Sequence, residues 1–355
     1  MSAEVLGLTA IRRRAFVWIL ALVAVLALSL AAGIMIGSVP IAPADTLEAL
    51  RTRISGTDTA DPSTAAIVWD VRGPRVVLGA CVGAGLAVCG MALQGMVRNV
   101  LADPYLLGIN SGASTGAAAA ILLGVGTGVA LDFGEHALQV SAFIGALLAS
   151  LLVYGVARSG GRVTGVRLLL AGVAVGYGLT AVTSFLIFAS GSPEGSRSVM
   201  FWLLGSLALA GWGTPLAVVA VVVLITIAVL TISGHRLDAL VTCDETARSL
   251  GVHPERLRSA LLVLVSLCIG CAVAAAGSIG FVGLVVPHLA RRAVGAVHVR
   301  AIPVAALMGA ILLVWADIAA RTLLAPQEIP IGILTAVVGT PLLLILIRRL
   351  HAASA

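Results

Sequence analysis

Cys268 and Cys271 stand at C-x-x-C spacing, the pattern among the five cysteines that suggests redox or metal chemistry. Both lie inside an unbroken apolar run, where cysteine behaves as a small hydrophobe, and the odd total offers no disulfide framework. His288 follows Pro287 with no second histidine or carboxylate at ligand spacing, so a structural use is expected of it. All 22 basic residues are arginine. A Walker A loop places a lysine on nucleotide phosphates, and Schiff-base chemistry needs a lysine amine, so a chain without lysine performs neither. Any ATP and magnesium chemistry then belongs to a partner, and no metal or cofactor is expected in this chain. A formal net charge of +6 invites a nucleic-acid reading. The arginines sit in short loops without interleaved aromatic residues, which argues against it.

The elements that carry these residues are membrane helices. Charged residues make up 11% of the chain against about a quarter in soluble domains, and mean hydropathy is +1.11. Runs such as 16–36 lack the period-two alternation of a membrane barrel. They match the roughly 20 residues that a helix needs to cross the hydrocarbon core. The predicted spans are 16–36, 76–97, 105–125, 138–156, 168–189, 214–232, 260–276, 279–290, 302–320 and 329–347. The fold class is therefore all-α, a polytopic membrane protein of about ten transmembrane helices. The eighth span is short and holds Pro287, which suits a partial or re-entrant segment shielded by protein. Arg12-Arg13-Arg14-Ala15-Phe16 resembles the start of a twin-arginine signal, yet the apolar run that follows is too long for a signal core and reads as an uncleaved first helix.

Arginine placement orients the chain, because short cytoplasmic loops accumulate positive charge. Ten passes with both termini inside put sixteen arginines within, including Arg98, Arg162, Arg258 and Arg349. Six remain outside: Arg51, Arg53, Arg72, Arg75, Arg197 and Arg321. Ten of the sixteen acids join those six, among them Asp58, Asp70, Asp132, Glu135, Asp317 and Glu328. Two polar segments stand out. Residues 38–75 lie outside and have room for a short surface helix, and residues 234–258 lie inside and read as two short helices, 237–250 and another beginning near Pro254. Glycines one helical turn apart, as in Gly108-x3-Gly112-x3-Gly116, Gly172-x3-Gly176 and Gly79-x3-Gly83, predict close approach between helices.

Several motifs in order carry a family resemblance: Trp69-Asp70-Val71-Arg72-Gly73-Pro74-Arg75, QGMVRNVLADP at 94–104, Phe201-Trp202-Leu203-Leu204-Gly205, Ala247-Arg248-Ser249-Leu250-Gly251-Val252, GSIGFVGLVVPHLAR at 277–291 and Glu328-Ile329-Pro330-Ile331-Gly332. From about residue 65 to 349 the chain resembles the FecCD-type permeases of cobalamin, heme and iron-siderophore ABC importers. Val100, Gly73 and Thr242-Cys243 depart from the family pattern. The resemblance implies the type II ABC importer permease fold over a single transmembrane domain, 1–355, with an external loop at 38–75 and ATPase-coupling helices at 234–258. It implies as partners a cytoplasmic ABC ATPase dimer, an extracytoplasmic substrate-binding protein and a second permease, identical or similar, in a bacterial cytoplasmic membrane.

By the same resemblance Arg72, Arg75 and Arg321 receive acidic side chains of the binding protein. The competing local reading pairs Asp70 with Arg72 and Asp317 with Arg321. Asp244, Glu245, Ala247, Arg248, Leu250 and Gly251 are implied to meet the ATPase, and Leu240, Leu250 and Val252 among charged neighbours suggest a covered surface. The implied activity is passive translocation of a ferric siderophore powered by the partner, with heme or cobalamin as alternative cargo. An ion-coupled secondary transporter is the rival class, and its usual midplane ionisable groups are missing from the predicted spans.

Overall fold

The computed structural model describes residues 8–56, 61–124, 127–128, 131–132, 136–158 and 163–352. Asp58, Glu135 and Arg162 lie outside them, as do the side chains of Asp132 and Arg349. Fifteen α-helices run through the described residues: α1 (Leu8–Met35), α2 (Pro43–Ser55), α3 (Pro62–Ala66), α4 (Gly73–Val97), α5 (Ile109–Leu123), α6 (Ala137–Arg158), α7 (Gly165–Ala189), α8 (Pro193–Leu203), α9 (Thr214–Ile232), α10 (Gly234–Thr242), α11 (Asp244–Ser249), α12 (Pro254–Ala276), α13 (Val282–Val294), α14 (His298–Thr322) and α15 (Ile331–Ala352). Seven helical stretches are long and apolar enough to span a membrane, and α5 and α15 are shorter apolar helices. With α13 they make ten bundle helices.

Several boundaries differ from the sequence expectation. Residues 62–75 are not loop: α3, a π-helical turn (Ile67–Arg72) and α4 form one helical stretch, Pro62–Val97, of 36 residues. Pro62 at the first helical position and the Asp61 side chain accepting the Thr64 N–H start it on the polar side. Only α2 occupies the expected surface position, and Arg53 lies over the Trp69 ring, 5.9 Å from its centroid. On the other face, Cys243 in an extended conformation splits 237–250 into α10 and α11, and the helix starting at Pro254 is the seventh span itself.

Helix α4 is buried on nearly every side. It packs along α14 and also meets α9, α12 and α13. The predicted close approaches appear here: a Cβ on Gly83 would strike the Gly309 backbone, and one on Gly90 would strike that of Gly283. Gly112 and Gly116 pack in the same way on α6. Gly176 is looser, since a Cβ there would lie 3.6 Å from Ser111 Oγ, an ordinary contact.

The eighth span is a thirteen-residue helix, α13, preceded by non-helical residues 277–281. Phe281 there adopts φ +68, an uncommon conformation for a bulky side chain. Backbone freed at membrane depth needs partners. The Tyr105 hydroxyl supplies two, donating to the Ile279 carbonyl and accepting the Ile279 N–H, both at 2.9 Å. Tyr105→Phe orphans both groups and is expected to cost about 1–3 kcal/mol. The thermal unfolding midpoint in detergent measures this, and a midpoint equal to that of the parent protein would refute it.

Candidate functional site at the two ends of the bundle

At the end of the bundle that carries α2, four charges from distant parts of the chain converge. Arg75 Nε lies 2.8 Å from Asp317 Oδ1, while its two terminal nitrogens hold the Glu328 carboxylate, each at 2.9 Å. Arg321, one helical turn beyond Asp317, brings Nε to 3.0 Å from Asp317 Oδ2 and donates to the Gly33 carbonyl at 3.1 Å. Arg72 donates to the carbonyls of Ile34 at 3.0 Å, Met35 at 2.9 Å and Val39 at 2.5 Å. These carbonyls lie at and just beyond the C-terminus of α1, where a helix leaves acceptors unsatisfied and favours positive charge.

All three arginines are thus buried, with exposures of 3 to 5%, rather than presented to solvent. The Asp317–Arg321 pair forms, whereas Arg72 turns to α1 and not to Asp70. Glu328 is the solvent-facing member of the cluster, its side chain 35% exposed. Sequence spacing gave no sign of the Arg75–Glu328 or Arg72–α1 contacts, which join segments hundreds or tens of residues apart.

At the opposite end, Arg98 closes α4 in a left-handed conformation, φ 56, and its Nε donates to the Leu240 carbonyl at 2.9 Å. Its terminal nitrogen pairs with Asp244. Arg258 holds the same carboxylate in a fork, at 2.9 and 2.7 Å. Asp238 accepts the His298 backbone N–H at 3.1 Å and sits 2.6 Å from its Nδ1, fastening α10 to the start of α14.

Of the expected coupling residues, Ala247 is fully buried and Asp244 is spent on the two arginines. Glu245, Arg248, Leu250 and Gly251 face outward. Leu250 is 66% exposed, while Leu240 is fully covered by the chain's own helices and Val252 partly so. Val241, which the sequence reading passed over, is also exposed. Gly251 closes the turn after α11 at φ +77, a conformation glycine adopts without strain. A cavity of about 430 Å³ beside Asp244 is lined by Arg98, Arg167, Glu245 and Arg248.

The Arg258 hydrogen bonds, helped by Arg98, hold the Asp244 carboxyl down at about 2. A depressed acid stabilises the fold above its unfolded value, near 4, and that contribution fades as pH falls from there toward 2. The clamp is therefore closed at neutral pH. Asp244→Asn imitates the protonated acid, and tryptic cleavage after Arg248 at pH 7.5 is expected to accelerate several-fold. An unchanged cleavage rate would mean that the clamp does not hold α11.

The arrangement has positioned ion pairs and a presented apolar surface, and among the described residues no cluster of three metal-ligating side chains. The FecCD transport family profile matches residues 21–349. The cobalamin import system permease protein BtuC of Halobacterium salinarum is 44% identical over 81% of this chain and 75% of its own length. The hemin transport system permease protein HmuU of Yersinia pestis is 42% identical over 79% and 83%, respectively. The Fe(3+)-citrate import system permease protein YfmD of Bacillus subtilis is 37% identical over 80% and 81%. Among solved structures, an inward-facing metal-chelate type ABC transporter superposes with a TM-score of 0.80 at 32% identity, covering 93% of this chain and 98% of that one. A fold match over most of the chain and a family match across nearly the whole sequence lead to one assignment: the chain belongs to the FecCD transport family and is a permease of the ABC importer type.

Proposed function

We propose that this permease imports a metal chelate, with a ferric siderophore as the first choice and heme or cobalamin as alternatives, driven by a separate ATPase dimer docked on α10 and α11. The observation that carries the reading is the exposed Leu250, which follows the outward-facing Glu245 and Arg248. It is apolar and uncovered within the chain, on a segment that Asp244 ties to Arg98 and Arg258, as expected of a patch that another protein covers. The α2 end then faces the exterior, both termini face the cytoplasm, and the membrane is the bacterial cytoplasmic one. A binding protein docks at the α2 end, where an acidic side chain reaches Arg75 by taking the place of the half-exposed Glu328.

A second permease covers α7. That helix leaves Tyr177, Gly178, Thr180 and Ser184 exposed at its middle, small and hydroxylated groups that suit a protein seam or a wet path better than lipid tails. Relatives named for cobalamin, hemin and ferric citrate all support chelate cargo and leave the siderophore as the finer choice.

The test is Leu250→Asp, with Gly251→Trp as a second variant, in the purified permease reconstituted with its ATPase. Binding-protein-stimulated ATP hydrolysis is expected to fall more than about tenfold, the equivalent of one lost anchoring contact. The bundle itself should still elute as folded protein, because Leu250 is exposed and a side chain at Gly251 meets open space, the strain of its φ of +77 being confined to that turn. Full stimulation in both variants would remove α10 and α11 as the coupling surface.

A further inference from the structure

A cavity of about 680 Å³ opens at the α2 end beside the ionic cluster, bounded by the start of α6, by α8, by the end of α12 and by residues 328–331. Its size falls within the range of roughly 300–1,000 Å³ typical of small-molecule sites. Its chemistry is uneven in a way that suits a ligand. The Arg197 guanidinium lies over the Phe201 ring, 5.6 Å from its centroid, and among the described residues it has no acidic partner. The Gln139 side-chain oxygen is buried and has no hydrogen-bond partner, although an amide can present its oxygen or, after a half-turn, its N–H groups. Phe201 is half exposed and Trp202 partly so, and both line the space. Glu328 adds no net negative charge, because Arg75 holds its carboxylate at both oxygens.

Arg197 is thus an exposed cation without an ion pair among the described residues, held on an aromatic face, and it shares the cavity wall with an amide oxygen that has no hydrogen-bond partner. Both complement an anion attached to a flat or apolar body. We propose that this cavity is an entry subsite for a compact, carboxylate-bearing metal chelate. The carboxylate sits against Arg197 and Gln139, and the apolar face of the chelate rests on Phe201 and Trp202. The inference rests on the importer reading above and narrows its cargo, because a corrinoid whose side arms are amides gives Arg197 no carboxylate to hold.

The experiment uses the purified full-length permease in lipid nanodiscs without the ATPase, titrated with ferric citrate, hemin and cyanocobalamin, with protein-free nanodiscs as the blank. Quenching of tryptophan fluorescence is read in the parent protein and in Trp202→Phe, so that the signal from the cavity is isolated. Ferric citrate and hemin are expected to quench Trp202, and Arg197→Gln or Gln139→Leu should each weaken binding about tenfold or more. Arg51→Gln removes the same charge from the same end of the molecule and should change nothing. Equal affinity in the Arg197 and Gln139 variants overturns the subsite, as does equal weakening by Arg51→Gln or binding of cyanocobalamin with the same dependence on Arg197. Loss of ATPase stimulation in reconstituted transporter is scored separately, so a failed importer reading and a failed subsite give different results.

Discussion

Asp317→Ala is expected to give the largest loss of stability of any single side-chain change at the α2 end, about 3–5 kcal/mol, the usual cost of removing one partner from a buried ion pair. Asp317 is 1% exposed and carries both Arg75 and Arg321. Removing it leaves Arg75 with Glu328 alone and leaves Arg321 with the Gly33 carbonyl and no acid. Loss of monodisperse protein on fluorescence-detected size exclusion after a short heat step measures the effect. Asp317→Leu combined with Arg321→Met should recover much of it, since well-packed apolar residues often replace a buried pair at little cost. A single variant as heat-stable as the parent would show that the cluster contributes nothing to folding.

Gly90→Val is the second large effect, and its cause is steric. A Cβ at Gly90 would overlap the backbone of Gly283, where a Cβ would in turn crowd Pro104 and the Leu86 carbonyl, so the surroundings leave little room to shift. Backbone cannot yield as the tip of a flexible side chain does, so the cost should exceed the roughly 1–3 kcal/mol typical of overpacking. The variant is expected to fail to accumulate as folded protein. Gly155→Val, at a helical position on α6 with open space around it, should accumulate normally in the same assay. Equal yields of the two would separate close packing at Gly90 from any role in stability.

The spans were legible because a membrane requires long apolar helices, and the 16–36 and 214–232 runs have no other stable state in lipid. Helix α8 was legible in principle: Ser192 caps Gly195 and Pro193 takes the first helical position, yet the polar residues that follow hide the signal within a loop-like stretch. The continuity of 62–97 was masked because residues 38–75 read as one polar external segment, whereas Gly73-Pro74 sits within one helical stretch after a π-helical turn. The arginines show a different limit. Charge bias placed Arg72, Arg75 and Arg321 at one end of the bundle, but their partners Ile34, Glu328 and Gly33 are set by tertiary packing, and no local spacing encodes them. The segment expected to couple was marked by its motif, while the division between buried Ala247 and exposed Leu250 needed the extended break at Cys243.

The Tyr105 hydroxyl grips Ile279 by its N–H and its carbonyl together. Sliding α13 along its axis would break both bonds in one stroke, so residues 277–281 are pinned to the short helix at 104–107. Any displacement that separates the two segments strands a backbone N–H and a carbonyl without partners in the bundle.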